Sequence, residues 1–510
     1  MELDRPISRR NLLSGAAALG AAALFDRSTI AAASASREAR RPPAGGREGQ
    51  PRIAIVGAGL AGLTCAFRLH QHGISSTVYE ARDSRVGGRC WTARGFAASQ
   101  TAEHGGEFID SRHTQIRALA RELGLRLDDV RAIRRRSPQL HPRLFLDGRV
   151  RRFADVYRNE RLLTGRADAD AGRIGNYHWL RPTRAARALD EMTAEEWLDS
   201  ALHGGGNRLL RRATRQYMAE EYGLDADRLS AITMLTAFGS GAVASDERFH
   251  VHGGNDQIPT GLLERLPAGT VRMGHPLASL RRRGSSYALG FGGQRGEARA
   301  DVVILCLPFP ALREVDLGSA GLGHRKRRCI EELGMGTNAK LLIQFRDRLR
   351  HYDEFDGEYY DEQLDTWDSS LGERGRPGLL TVYSGGRSGA GYRVAKPHAR
   401  APRKIVDSTT AAISRAVPGL AAGYDGHSWL DHWASDPWTH GSYAAFLPGQ
   451  FTRYWGFVGL PEGRIHFGGE HTATAAQGFL EGAVRSGERC AREVASRLGL
   501  RRPTAAATAA

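Results

Sequence analysis

A chain of 510 residues exceeds what one simple core fills, so two domains are the default, and 41% hydrophobic, 8% aromatic and 25% charged residues are ordinary values for a soluble globular protein. A net charge of +16 would suit nucleic acid, an anionic membrane or acidic ligands, but the arginines are scattered apart from short runs at 134–136 and 281–283, and no helix-turn-helix, zinc-finger or aromatic RNA-binding motif accompanies them, which argues against nucleic acid. The five cysteines, Cys65, Cys90, Cys306, Cys329 and Cys490, lie far apart without a C-x-x-C pair, so neither a disulfide framework nor a zinc site is expected, and no other metal-ligand spacing is present.

The chain opens on "SRRNLLSGAAALGAAALF", with Arg9 and Arg10 ahead of an apolar stretch from Ala16 to Phe25 and a small-residue region, "AAASAS". The apolar run is too short to span a bilayer and reads as the core of an export signal over 1–35. The paired arginines resemble a twin-arginine signal, which predicts contact with export machinery, a periplasmic or extracellular location and no stable membrane anchor. Residues 36–50, rich in Pro, Gly and Arg, read as a linker.

Folded structure is expected from "RIAIVGAGLAGL" onward. A buried strand there runs into Gly57, Gly59 and Gly62, a G-x-G-x-x-G at the start of a helix. Such glycines permit a tight turn and let a pyrophosphate approach the positive helix N-terminus. Glu80 ends the next strand, "SSTVYE", at the distance of a carboxylate that grips ribose hydroxyls, so a dinucleotide without a 2′-phosphate is predicted. "EARDSRVGGRCWT" then places Gly87, Gly88 and Arg89 close behind, a second glycine turn with a cation for the same phosphates.

Further along, Ile116, Leu119, Ala120 and Leu123 share one face of a helix predicted over 112–123. Thr193 and Glu196 have capping-box spacing before another helix, and 207–240 is mostly helical in pattern. "ADVVILCLPFP" (300–310) reads as a buried parallel strand stopped by proline. "GTNAKLLIQF" (336–345) is a second strand and carries Lys340, one of only four lysines among 72 Lys and Arg. A strand-end lysine ordinarily keeps its head in water, so its place at the start of an apolar run calls for a reason. "GRIHFGGE" (463–470) is a third strand, followed by a helix from about 478 to 498, and the tail 501–510 is expected to be disordered. His104, His252, His440 and His471 lie near these motifs and read as packing or hydrogen-bonding residues.

Taken in order, these segments resemble the flavin-containing amine oxidase family, which includes monoamine, polyamine and L-amino acid oxidases. The match covers most of 51–500 and is strongest at the two ends, at "IAIVGAGLAGL" with "EARDSRVGGRCWT" and at "RIHFGGEHTATAAQGFLEGAV". The resemblance implies an α/β fold, with a Rossmann-like FAD-binding domain at 51–111, 246–320 and 436–500. An α+β substrate domain would be inserted at 112–245, mostly helical, and at 321–435. It implies cofactor contacts from Gly57, Gly59, Gly62, Glu80, Ala81, Arg82, Gly88, Arg89, from Gly105, Gly106 and Glu107 of "EHGGEFI", and from Gly469, Glu470, Phe479 and Leu480. Val271 of "GTVRMGHPL" would meet the adenine.

The same resemblance implies that Lys340 holds a water against flavin N5. An ammonium there also has a physical use, because it can stabilise the negative charge that develops when reduced flavin meets oxygen. Tyr443 and Phe479 fall where two aromatic walls flank the amine, with Phe479 replacing the tyrosine of monoamine oxidases. Ser442 stands where covalent monoamine oxidases carry cysteine, so FAD is expected to be bound non-covalently. The implied activity is oxidation of a primary or secondary amine to an imine, with O2 reduced to H2O2. An L-amino acid oxidase, needing an arginine for the substrate carboxylate, is the nearer alternative; Phe108, Ile109 and Asp110 stand where some of those enzymes place it, and Arg112 or Arg117 could substitute. A flavin desaturase or isomerase is the more distant one. A homodimer is compatible with the sequence.

Overall fold

The computed structural model describes residues 51–136, 140–203, 207–241, 245–293 and 295–499; the expected signal, linker and tail lie outside the described residues. Two sheets organise the chain. The first is fully parallel, with the strands in the order Ile465–Phe467, Val302–Leu305, Ile53–Val56, Thr77–Tyr79, Val271–Arg272. Its central strands read IAIV and VVIL, buried at every position, as a sheet covered on both faces requires. Ile55 lies opposite both Ile304 and Val78, and all three are fully buried. Helix Leu60–Gln71 follows the first strand and packs against the closing helix Leu480–Arg497.

The second sheet has eight strands in the order His398–Ala399, Tyr424–His432, Ala339–Phe345, Gly378–Ser384, Asp365–Asp368, Phe355–Tyr360, His141–Leu146, Arg149–Arg151. It is antiparallel except where Phe355–Tyr360 meets His141–Leu146. Strand Ala339–Phe345 is buried along its whole length, and Leu341, Leu342, Ile343 and Phe345 are at 0% exposure. Each such side chain stabilises the fold by about 1.5–3 kcal/mol. Gln344, the polar intruder, is satisfied: its amide donates to Ala97 O (3.2 Å) and Gln100 Oε1 (3.0 Å) and accepts from Ala97 N (2.7 Å).

Helices Arg161–Ile174, Arg184–Glu191, Ala194–Ala201, Arg208–Tyr222 and Ile232–Phe238 form the helical layer, with the fully buried Trp197 in its core. The capping box is present: Glu196 N donates to Thr193 Oγ1 (3.1 Å) and Thr193 N to Glu196 Oε2 (2.8 Å). No helix of the described residues is long and apolar enough to cross a membrane.

Helix Thr114–Glu122, expected to open the inserted segment at 112–245, buries Ile116 and Leu119 in the core behind the parallel sheet. The Glu481 carboxylate accepts the backbone N–H groups of Gln115 (3.2 Å) and Ile116 (2.8 Å), tying the start of this helix to the closing helix. The apolar stripe read from the sequence, Ile116, Leu119 and Ala120, is the buried face of this helix.

Candidate active site

A continuous cavity of 2080 Å³ runs from the first glycine turn to the face of the eight-stranded sheet. At its first end Gly57 leaves the strand at φ +99°, a left-handed conformation suited to glycine. A Cβ on Gly62 would lie 1.9 Å from Gly57 O, so the first helical turn closes directly onto the loop. Gly59 and Gly88, by contrast, are not pressed by their neighbours: a Cβ at either would make only an ordinary contact, at 3.9 Å to Gly87 O and 3.5 Å to Gly59 Cα. No side chain caps helix Leu60–Gln71, leaving its positive end toward the cavity. Glu80 closes this wall, its Oε2 accepting Ala58 N–H (2.7 Å) and its Oε1 accepting Arg82 N–H (2.9 Å). An anion-accepting helix end, two glycines lining the cavity and a rigid carboxylate fit a dinucleotide.

Other expected residues form the supporting wall. Arg89 donates to Ser442 O and to Glu470 Oε1 (3.1 Å), while Glu470 also accepts Ala444 N–H (3.2 Å) and Gly478 N–H (2.9 Å). That carboxylate therefore joins the second glycine turn, the 442–444 segment and the loop before the closing helix. Gly105 and Gly106 are packed so tightly that a Cβ would strike Arg89 O at 1.9 Å and Leu480 Cδ2 at 2.7 Å. Gly57, Gly59, Ala81, Arg82, Gly88, Glu107 and Gly469 line the cavity, as do Phe479 and Leu480 at the helix start.

Two expected contacts are not cavity-lining. Gly62 acts by close packing under the loop, and Val271, on the edge strand opposite Val78, packs its side chain into the core behind the sheet. Alternation along a strand turns Val271 away, and Tyr79 and His275 stand on the cavity side instead.

At the far end the register of the large sheet assembles the site. Lys340 pairs with Tyr383 on one side and Asp431 on the other, so all three project from the same face. Lys340 Nζ donates to Glu103 O (3.1 Å) and Glu107 Oε2 (2.9 Å) and lies 5.1 Å from the centre of the Trp367 ring. Its side chain is 6% exposed, so the expectation for a strand-end lysine in water does not hold here. Glu107 Oε1 accepts Trp367 Nε1–H (2.8 Å) and Ser369 Oγ–H (3.2 Å). Tyr383 donates to Tyr443 Oη (3.1 Å), and Tyr443 donates to Glu220 O (2.6 Å). Burial, reinforced by Tyr383, raises the Tyr443 pKa well above the usual tyrosine range, so this wall is neutral. Phe479 packs on His113, ring centres 5.0 Å apart.

Sequence reasoning singled out Lys340, Tyr443 and Phe479, which line the cavity, but not Trp367 and Tyr383, which line it too. These sit on separate strands, and only strand register brings them to Lys340. It also missed a buried charge chain beside the cavity. His104 Nδ1 meets Asp431 Oδ2 (2.8 Å), His398 bridges Asp431 Oδ1 (2.8 Å) and Asp436 Oδ2 (2.7 Å), and Asp436 pairs with Arg82. Burial opposes charge on His398, but its bonds to Asp431 and Asp436 outweigh burial and raise its pKa. Burial likewise opposes ionisation of Asp436, yet His398 and Arg82 bring its pKa down to about 2. On His104 burial wins and the pKa is lowered. His471, also buried, packs against Phe309 (4.6 Å) with its pKa lowered by burial to about 3.

The arginines considered for a substrate carboxylate separate. Arg117 donates to Ser111 O and lies over Phe249, away from the cavity, whereas Arg112 lines it with Nε on Asp110 (3.1 Å). No group of three or more potential metal ligands occurs among the described residues.

Comparison with known proteins agrees with this geometry. The sequence model of a family described as flavin containing amine oxidoreductase matches residues 60–495. Amine oxidase (flavin-containing) A of Equus caballus is 25% identical, over 88% of this chain and 85% of the horse protein. The L-glutamate oxidase precursor of Streptomyces viridosporus is 25% identical over 89% and 87%. In fold, the chain is similar to putrescine oxidase solved with putrescine bound, at TM-score 0.75 and 23% identity over 88% of this chain and 99% of that one. It is also similar to cyclohexylamine oxidase from Brevibacterium oxydans, at TM-score 0.74 and 21% identity over 88% and 100%.

Proposed function

Since the chain belongs to the flavin-containing amine oxidoreductase family, and is by that membership a flavin-dependent amine oxidase, we propose that its cavity holds FAD and oxidises a primary or secondary amine. One observation carries the placement. The glycine turns and the wall formed by Lys340, Glu107, Trp367, Tyr383, Tyr443 and Phe479 line the same continuous cavity.

The flavin, when bound, supplies the two-electron acceptor for the C–N bond and passes those electrons to O2 as H2O2. The protein's own residues supply the rest. Gly57, Gly59, Gly88 and the helix end accept the pyrophosphate, and Glu80 the ribose. Tyr443 and Phe479 hold the amine between apolar faces and exclude water, which favours its neutral form. Lys340 donates to Glu103 O and Glu107 from the cavity wall, so its ammonium is held in place beside the bound flavin. Phe108, Ile109 and Asp110, where some amino acid oxidases place arginine, favour the amine reading, with the cavity-lining Arg112 as the candidate carboxylate clamp of the alternative.

Ser442 donates to Asn338 Oδ1 (2.6 Å), and a hydroxyl there forms no thioether, which supports a non-covalently held cofactor. Acid precipitation should leave the flavin in the supernatant. Arg9, Arg10 and the apolar run support export as a folded holoprotein, to be checked by loss of export in an Arg9→Lys, Arg10→Lys variant. Activity is tested by anaerobic bleaching of the bound flavin with a panel of amines, polyamines and amino acids. Bleaching by amines with H2O2 formed in air is expected; bleaching by amino acids alone would favour the alternative.

A further inference from the structure

The carboxylate that meets Lys340 is built into the wall as firmly as the lysine itself. Glu107 follows the glycine pair whose backbone is wedged against Arg89 and Leu480, so its position is set by the cofactor cradle. Its two oxygens take three protein donors: Lys340 on strand Ala339–Phe345, Trp367 on strand Asp365–Asp368, with Gly378–Ser384 between the two strands, and Ser369 just beyond Trp367. Ser369 is held in turn by Thr381 at 2.6 Å. The two side chains are 6% and 9% exposed, so water screens the pair little. Bringing a buried carboxylate to the cavity's one lysine is costly unless the pairing has a use. A second acid, Glu103, stands beside them and supplies the lysine only with its backbone carbonyl, while its carboxyl accepts from Thr92 and from Asn255 N–H (2.7 Å). Burial raises the Glu103 pKa well above the usual carboxylate range and so disfavours charge on it, whereas Glu107 is the carboxylate that meets the Lys340 ammonium directly, at 2.9 Å.

We propose that Glu107 is a positioning residue that sets the charge Lys340 presents to the cofactor, so that the pair acts as one unit of near-zero net charge fixing the electron affinity of the bound flavin. This rests on the reading of the cavity as the flavin site. The lysine favours electron uptake by the flavin and the carboxylate opposes it. Removing one member of such a pair uncovers the full field of the other in a poorly screened cavity. The two single replacements therefore act in opposite directions, which a merely structural role for Glu107 does not produce.

The test uses purified holoenzyme at pH 8 and two readouts that need no turnover, the two-electron potential of the bound flavin and its affinity for sulfite, an anion. Glu107→Gln should tighten sulfite about tenfold or more, and raise the potential by about 30 mV for each tenfold change in the reduction equilibrium. Lys340→Met should shift both the other way. The double variant should return to within about threefold of wild type, and Glu107→Asp, which keeps the charge, should stay close to it. If Glu107→Gln fails to accumulate, Lys340→Met and Glu107→Asp decide alone. Opposite, cancelling shifts support the proposal. Glu107→Gln within twofold of wild type, shifts of the same sign in both single variants, or Lys340→Met without a shift would overturn it. Purified wild-type protein that retains no flavin would instead overturn the reading of the cavity on which the proposal stands.

Discussion

Replacing His398 with leucine probes the charge chain that anchors the 431–439 segment beside the cavity. The imidazole meets Asp431 at 2.8 Å and Asp436 at 2.7 Å, and both carboxylates are at 0% exposure. A hydrogen bond to a charged group contributes about 1.5–3 kcal/mol, so the two are nominally worth about 3–6 kcal/mol. Both aspartates keep partners, however: Asp431 retains His104 and Trp429 Nε1–H (3.1 Å), and Asp436 retains Arg82 and Trp438 N–H (2.8 Å). His398→Leu should therefore cost about 2–4 kcal/mol, since breaking one member of a buried ionic set leaves the others under-compensated.

The pH dependence has a definite sign. The folded pKa of His398 is raised, so its contribution is complete below the unfolded value of about 6.5 and fades as pH rises through the folded value. Asp436, depressed to about 2, contributes fully above the ordinary aspartate range, so it adds no slope between pH 6 and 9. Thermal melts of wild type and variant should thus differ most at pH 6 and converge toward pH 9. A gap that is the same at both pH values, or below about 0.5 kcal/mol, a size usual for surface substitutions, would refute the reasoning.

Gly62→Val should abolish flavin retention, because its Cβ alone would lie 1.9 Å from Gly57 O; a variant that copurifies with full flavin would contradict the close-packing role. Lys326, 0% exposed, donates to Phe457 O (3.2 Å), Val458 O (2.8 Å) and Leu460 O (2.9 Å), and burial lowers its pKa to about 8. The unfolded chain therefore binds more protons between about pH 8 and the ordinary lysine range, and wild-type stability should gain a rising slope there that Lys326→Met lacks in denaturant titrations.

How much was legible follows the locality of each signal. Gly57, Glu80, Gly88 and Arg89 were readable because a turn, a helix end and a strand end are encoded by neighbours in the chain. Lys340 stood out by composition, as a rare lysine heading an apolar strand. Its partners were not readable: Tyr383 and Asp431 reach it through strand register, and Trp367 through the strand beyond, none of which a single sequence specifies. The Glu107 pairing depends on the loop after the short strand Ala102–Glu103 meeting strands of the eight-stranded sheet. Val271 shows the converse limit, since its strand was correctly placed but the side on which its side chain lies depends on the core behind it.

The most direct test of the account is stopped-flow kinetics of Lys340→Met. The variant should retain flavin, and its reoxidation by O2 should slow by about tenfold or more, the loss expected when a preorganised charge is removed from the site where negative charge develops, while anaerobic reduction by amine slows less, in step with the lowered flavin potential. Unchanged reoxidation with flavin fully bound would contradict the placement of Lys340 at the reacting face.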